Sequence, residues 1–239
     1  LWLAKKSKAA MMKSIAQSEL DRKRFVYSDI GFILLQQVVE AVTGKTLDVY
    51  LVSEFYRPMG LEHTLFQPLN RYKKADIMPT AANDYLRRQD LCGYVHDEAA
   101  AFMGGVSGNA GLFSTAQELG KIYQMILNEG ELDGKRYLRP ETCRIFTTEK
   151  SAVSHRGLGY DKPNLKDPKA NACASSAPAS VYGHTGFTGT CAWVDPENDL
   201  VYIFLSNRLC PDAWNGKLNS MKIRQAVQEV IYQSLYTPE

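Results

Sequence analysis

VYGHTGFTGTCAWVDPENDLVYIFLS (residues 181–206) is where the chain changes its period. TCAWV and LVYIFLS are apolar runs rich in β-branched and aromatic residues, and DPEND between them is turn chemistry. They read as a β-hairpin whose second strand is central and well buried. The stretch before them differs in kind, with glycines at 183, 186 and 189 among His184, Thr185 and two further threonines. One explanation is a bulged edge strand; the other is a strand whose backbone a ligand approaches closely. His184 and Thr185, beside exposed backbone N–H groups, favour the second, because such an edge can hold a substrate carbonyl or an oxyanion.

Upstream of that stretch the signals are mostly helical. A polar opening gives way to YSDIGFILLQQVVEAVTGKTL (27–47), where apolar residues from about Ile30 to Val42 cover almost every side of a helix. Such a helix is expected to be buried on most faces. Gly44 stands where a C-terminal cap belongs, and Thr46 is placed to cap the next helix. The segment 61–101 is irregular and leads into the glycine-dense GGVSGNAGLFS (104–114). Ser114 with Gln117 has the form of a capping box, and Pro140 sits at a helix start. Residues 151–180 read as loop, and 217–236 as an amphipathic closing helix. Helices first and strands later suggest an α+β fold.

Composition narrows the function classes. Of 239 residues, 45% are hydrophobic and 23% charged, which is globular rather than disordered. A net charge of +2, with 28 basic and 26 acidic residues interspersed, makes no field for nucleic acid, and the basic opening LWLAKKSKAAMMKS reads as a solvated helix face. No apolar run reaches the ~20 residues that a membrane span needs. Five cysteines without C-x-x-C spacing suggest neither zinc nor a redox motif, and nothing calls for a metal or other cofactor. His96, Asp97 and His184 match no zinc-ligand spacing. The start at Leu1, with no signal-peptide pattern, suggests a fragment or processed product.

YSD (27–29) before an apolar helix is explained by capping as far as Ser28 and Asp29 go. Capping does not explain Tyr27. A phenol with a pKa of about 10 serves as a base only beside a cation or a strong donor.

Taken together, FVYSDIGFILLQQVVEAVTGKTL (25–47), GYVHDEAAAFMGGVSGNAGLFSTAQEL (93–119) and GHTGFTGTCAWVDPENDLVYIFLSNR (183–208) resemble the serine hydrolases related to class C β-lactamases and penicillin-binding proteins. The middle motif of that family is Y-x-N or Y-S-x, and the last is K-T-G or H-T-G. The likeness looks closest to domains fused behind family 3 glycoside hydrolases of the β-N-acetylglucosaminidase type. It implies a β-lactamase/transpeptidase-like fold, an antiparallel sheet packed with helices plus a mostly helical subdomain. Residues 1–239 would be the C-terminal portion of one such domain, incomplete at its N-terminus, with 27–150 mostly helical and 181–239 the sheet hairpin and closing helix.

The resemblance also assigns roles. Tyr27 would be the general acid/base and would approach His184 across one cleft. Asp29 would stand where a side-chain amide usually contacts substrate, which removes two N–H donors. His184 would replace the lysine of K-T-G and would supply a positive charge only if protonated; an anionic Asp29 would repel a substrate carboxylate, so that neutral acyl substrates are preferred. Thr185 and Gly186 would line the site, and the backbone N–H of Phe187 would be half of the oxyanion hole. The substrate would be a small-molecule or peptide acyl compound and the compartment periplasmic or otherwise exported. An N-terminal segment or a glycoside hydrolase domain would be a fused or contacting partner.

The family acts through a serine followed three residues later by lysine. None of the serines here, from Ser7 to Ser234, has lysine at that place. Ser107 also fails G-x-S-x-G, since Asn109 holds the last position. The nucleophile is therefore expected outside this chain, and the fragment is expected to expose an apolar face where the missing part would pack. The alternative is a non-catalytic module that binds cell-wall peptides.

Overall fold

The second helix shows how far local sequence dictates this structure, a computed structural model describing residues 6–19 and 25–236. The first five residues of the basic opening lie outside the described residues. After α1 (Ser7–Gln17), helix α2 (Ile30–Thr43) ends where Gly44 turns left-handed (φ +67°) and its N–H reaches Glu40 O at 3.0 Å. The glycine cap is thus as expected. The burial is not: only Ile33 and Gln36 of α2 are buried, while Leu35, Val38 and Val42 are 56%, 55% and 80% exposed. Nothing among the described residues covers those faces, which leaves the exposed apolar surface that the family resemblance implied.

The chain divides into two compact units, Leu1–Thr115 with Leu209–Ala213, and Ala116–Arg208 with Trp214–Glu239. In the first, α3 (Leu47–Leu51) runs into one π-helical turn, Val52–Tyr56. Thr46 precedes α3 but its side chain makes no capping hydrogen bond. Strand β1 (Leu65–Phe66) is followed by a hairpin of β2 (Pro79–Asp84) and β3 (Gln89–Cys92), which the sequence had suggested only as irregular chain. Its register slips twice, which hides the strand alternation. Ala81 and Leu91 of this hairpin pack with Leu209. Short α4 (Glu98–Phe102) leads to the glycine loop, after which β4 (Leu112–Phe113) pairs antiparallel with β1. The Ser114 hydroxyl lies 2.7 Å from that of Thr64, so the serine of the expected capping box is bonded across the unit.

Gln36 is buried because its amide clamps the glycine loop. Nε2 donates to Val106 O at 3.2 Å and to Glu40 Oε1 at 2.9 Å, while Oε1 accepts from the Gly108 N–H at 3.2 Å. Gly108 lies so close to α2 that a Cβ there would sit 2.2 Å from Phe32 O.

The second unit contains α5 (Ala116–Leu127), a small hairpin of β5 (Glu131–Leu132) and β6 (Lys135–Arg136), and α6 (Pro140–Thr148), which starts at Pro140 as expected. Its main sheet is antiparallel in the order β7 (Tyr182–Thr185), β8 (Cys191–Asp195), β9 (Leu200–Phe204). The hairpin is where the sequence put it, but the buried central strand is its first arm. Every residue of β8 is buried, whereas β9, with strand partners on one side only among the described residues, is mostly half-buried. The closing helix is two pieces, α7 (Lys217–Ser220) and α8 (Ile223–Tyr236), separated at Lys222, which has φ +49°. Trp193, Tyr202 and Tyr232 form the core with Cys173, Val181 and Cys191. Buried Asp195 takes the Tyr232 hydroxyl at 2.9 Å and the Glu197 and Asn198 N–H groups, which ties the hairpin turn to α8.

The loop clamp predicts opposite outcomes for two glycines. Gly108→Ala is expected to lower stability by about 2 kcal/mol or more, because backbone must move to relieve the contact. Gly120→Ala, in the interior of α5 with nothing within 4 Å of its Cβ, is expected to raise it by about 0.5–1 kcal/mol. Denaturant unfolding of both variants checks this, and equal effects would discount the clamp.

Candidate active site

In the first unit, Tyr27, Ser28 and Asp29 lead into α2. The Ser28 hydroxyl accepts from the Ile30 N–H at 3.2 Å, and Asp29 accepts from the Phe32 and Ile33 N–H groups through its carbonyl, with no side-chain cap. Ser is therefore the capping side chain, and the Tyr27 ring, 58% exposed, stands at the mouth of the helix. Ser107 is buried and donates to Asn109 Oδ1 at 2.7 Å, which suits a loop brace rather than a nucleophile. The HDE stretch is consumed structurally. Asp97 caps α4 through the Ala100 N–H at 2.7 Å and accepts from Asn109 at 3.0 Å, while Arg87, paired with Asp84 at 2.8 Å, donates to the His96 carbonyl. No group of three His, Cys, Asp or Glu side chains among the described residues is close enough to hold a metal. A cavity of about 500 Å³ in this unit, lined by residues such as Tyr56, Arg57 and Arg71, includes none of the motif residues.

The second unit carries the H-T-G strand. Loop residue Asp161 docks on β7 by a two-way backbone exchange: its N–H donates to Gly183 O at 2.7 Å and its carbonyl accepts from the Gly183 N–H at 3.1 Å. In an antiparallel ladder the groups alternate sides, so the N–H and C=O of Thr185 face the same edge as those of Gly183, beyond the reach of that bridge. Thr185 thus lies past the bridge on the same edge.

His184 is held at both ring nitrogens. Nε2 lies 2.9 Å from Arg156 Nη1 and Nδ1 lies 2.7 Å from Thr185 O. A guanidinium only donates and a carbonyl only accepts, so the arrangement takes the ring as its Nδ1–H tautomer. Arg156 is in turn braced by buried Asp161 (Nη2 to Oδ2, 3.4 Å), whose other oxygen meets His155 Nε2 at 2.9 Å. A guanidinium that the strand's own residues did not suggest, that of Arg156, thus stands beside His184. Spacing could not have revealed it: Arg156 lies in SHRGLGYDKP, a loop with no periodicity, 28 positions from His184. Lys162 is a poorer candidate, being buried and donating to Thr147 O. Burial, followed by the nearby Lys150 charge, depresses its ammonium to about 8.

The glycines of the turn answer to the protein's own packing. A Cβ at Gly183 would lie 2.0 Å from Ala192 O, at Gly186 2.1 Å from Thr190 Oγ1, and at Gly189, where φ is +117°, 2.8 Å from Ser206 Oγ. Phe187 is 66% exposed with the Arg208 guanidinium 4.3 Å from its ring centre. His184, Thr185, Gly186 and Phe187 are thus consecutive on one strand end and turn, while Tyr27 and Asp29 belong to the other unit.

A family model described as Beta-lactamase matches residues 1–225. An Escherichia coli protein named D-alanyl-D-alanine carboxypeptidase is 38% identical over 197 residues, covering 77% of this chain and 45% of its own length. A Salmonella gallinarum protein of the same name is 32% identical over 232 residues, covering 91% and 54% respectively. The chain spans about half the length of the curated relatives it matches. Among solved structures, the octameric penicillin-binding protein homologue of Pyrococcus abyssi superposes with TM-score 0.60 at 18% identity, over 98% of this chain and 52% of its own. A beta-lactamase of Mycobacterium bovis does so with TM-score 0.57 at 19% identity, over 88% and 64%. At such identities the likeness concerns the fold, which is β-lactamase/transpeptidase-like.

Two outcomes are expected from this geometry. Nitrogen-15 spectra of labelled histidine should show His184 at neutral pH with Nδ1 protonated and Nε2 bare, and Arg156→Gln should mix the tautomers; a protonated Nε2 in the unsubstituted protein would contradict the arrangement. Lys162 binds its proton less tightly when folded, so between about pH 8 and 10.5 the unfolded chain holds more protons and this group's contribution to stability rises with pH. The melting temperature of the unsubstituted protein should rise relative to that of Lys162→Met across that window, and a constant difference would assign no such role to Lys162.

Proposed function

The chain belongs to the beta-lactamase family, and from that membership we propose that the protein containing it is a serine-type acyl hydrolase acting on peptide, amide or ester carbonyls through an acyl-enzyme. The observation that carries the reading is the H-T-G strand, whose edge is bridged by Asp161 at Gly183 and runs on through Thr185 into the turn at Phe187, beside the His184–Arg156 pair. A substrate laid along that edge would place its carbonyl by the turn at Phe187 and an anionic end near the Arg156 charge. The relatives named D-alanyl-D-alanine carboxypeptidase fit this, since that name describes a peptide ending in a free carboxylate. None of these names points to a glycoside hydrolase fusion.

The nucleophile is a serine outside these 239 residues, supported by the lack of any serine with lysine three places on and by the buried, bonded state of Ser107. Its Oγ attacks the substrate carbonyl while Tyr27 takes its proton, assisted by the lysine of that motif. The backbone N–H of Phe187 donates to the tetrahedral oxyanion. Collapse expels the amine or alcohol, which recovers the proton from Tyr27, and water repeats the sequence on the acyl-enzyme. Asp29 borders the substrate without the amide donors of the Y-x-N pattern, and Thr185 and Gly186 line the strand side. The exposed face of α2 is the surface the nucleophile-bearing part covers.

We place the protein in an exported compartment, where its cysteines need no disulfides. All five are free, and four are buried. Burial pushes the Cys173 thiol up to about 12 and Cys191 to about 11, which suppresses the thiolate that exchange requires. No described helix is long and apolar enough to cross a membrane.

A non-catalytic peptide-binding module is the second reading, favoured by the same missing serine motif. The intact protein is expected to hydrolyse a short-chain aryl ester or an acyl-D-alanyl-D-alanine peptide and to take one fluorophosphonate label, with Tyr27→Phe lowering kcat by about 10²-fold or more. The 239-residue chain alone should take no label. An intact protein that binds the peptide but is never labelled would support the module, and stoichiometric labelling of the chain alone would refute the placement of the nucleophile.

A further inference from the structure

The turn Gly186–Thr190 has a donor on every one of its carbonyls. Gly186 O accepts from the Gly189 N–H at 3.1 Å and from Arg224 Nη1 at 3.3 Å. Phe187 O accepts from Arg208 Nε at 2.6 Å, and Thr188 O from the Arg208 backbone N–H at 2.9 Å. Gly189 O accepts from the Ser206 hydroxyl at 2.8 Å. Thr190 O accepts from the Gly186 N–H at 2.7 Å and from Arg224 Nη1 at 2.9 Å.

These peptide units are trans, so each carbonyl points opposite to the N–H that follows it. Holding Gly186 O therefore aims the N–H of Phe187, and holding Phe187 O aims that of Thr188. The turn is anchored by its oxygen ends, and the Phe187 and Thr188 N–H groups point away from those anchors. A charged donor on a carbonyl does more than orient it. It polarises the peptide and makes the N–H at the far end a stronger donor.

Both arginines are themselves fixed. Arg224 comes from α8, spans the two ends of the turn, and is steadied by Asn219 Oδ1 at 3.0 Å. The Arg208 guanidinium lies over the Phe187 ring. Burial and the Arg224 charge both lower the Arg208 pKa, so the pair is held together against mutual repulsion.

We propose that Arg224 and Arg208 are positioning residues that orient and polarise the 186–187 and 187–188 peptide units, so that the turn offers N–H donors to the oxyanion of acyl transfer. Neither touches the substrate. The inference rests on the acyl-hydrolase reading and on Phe187 as an oxyanion donor, and it adds the residues through which that donor is made.

The test uses the intact protein, a short-chain aryl ester as substrate and phenylboronic acid as a probe that becomes tetrahedral on a nucleophilic serine. Arg224→Gln is expected to lower kcat about tenfold or more with KM within about twofold, and to weaken the boronate by a similar factor, since a lost or misplaced oxyanion donor acts on the tetrahedral species. Arg208→Gln should act in the same direction. Methylguanidinium added to Arg224→Ala should restore part of kcat, which a merely unfolded variant would not allow; circular dichroism melting monitors the fold, and Arg224→Lys provides a milder change. If the unsubstituted protein hydrolyses the ester and binds the boronate while folded arginine variants keep kcat and boronate affinity, or lose KM alone, this inference fails by itself. If the unsubstituted protein does neither, the acyl-hydrolase reading falls and takes the inference with it.

Discussion

The two hydrogen bonds exchanged between Asp161 and Gly183 are the constraint on which the H-T-G strand depends. They fasten a loop of little regular structure to the edge of β7, and that loop carries His155, Arg156 and Lys162. Once Asp161 is docked, its carboxylate is buried and needs hydrogen-bond donors, which draws the Arg156 guanidinium and the His155 ring onto it. Arg156 then meets His184 and settles the ring's tautomer. The bridge is made at Gly183, and Thr185 lies past it on the same edge with its carbonyl held by the His184 ring. One backbone contact thus brings the charged groups to the strand. Gly183 is a glycine because Ala192 O and Trp193 crowd its other side.

Much of the fold was legible where a residue acts through its own backbone. Gly44 ends α2, Pro140 opens α6, and DPEND turns the β8–β9 hairpin, each by local conformational preference. Signals that depend on what lies opposite were less readable. Thr46 and Ser114 are good capping types, yet Thr46 caps nothing with its side chain and Ser114 is bonded to Thr64. The apolar run of β9 suggested a central strand, but centrality depends on neighbours, and β8 holds that place. In β2–β3 two register slips erase the period by which a strand is recognised.

The candidate site divides along the same line. The motifs YSD and HTG could be read directly, because their residue types are the chemistry. The glycines were read as room for a ligand, and the structure gives a nearer cause in the carbonyls and hydroxyls that a Cβ would strike. Arg156, Arg208 and Arg224 carried no signal at all. Each acts through a side-chain contact 21 to 38 positions away, and an arginine in a loop or on an amphipathic helix looks like any other solvated charge.

The exposed face of α2 links the proposed chemistry to stability. Six large apolar side chains of this helix, Ile30, Phe32, Leu34, Leu35, Val38 and Val42, are each between 42% and 80% exposed. Burying what remains of each would contribute about 1 kcal/mol, so a covering element gains on the order of 5 kcal/mol, comparable to the whole net stability of many domains. Tyr27 lies three residues before that helix and Gln36 within it clamps the glycine loop. An element that covers α2 therefore also rigidifies the tyrosine motif and the loop it holds. If the nucleophile arrives on such an element, as proposed, the burial that completes the core is the same event that assembles the catalytic groups, and folding and catalytic competence are one equilibrium.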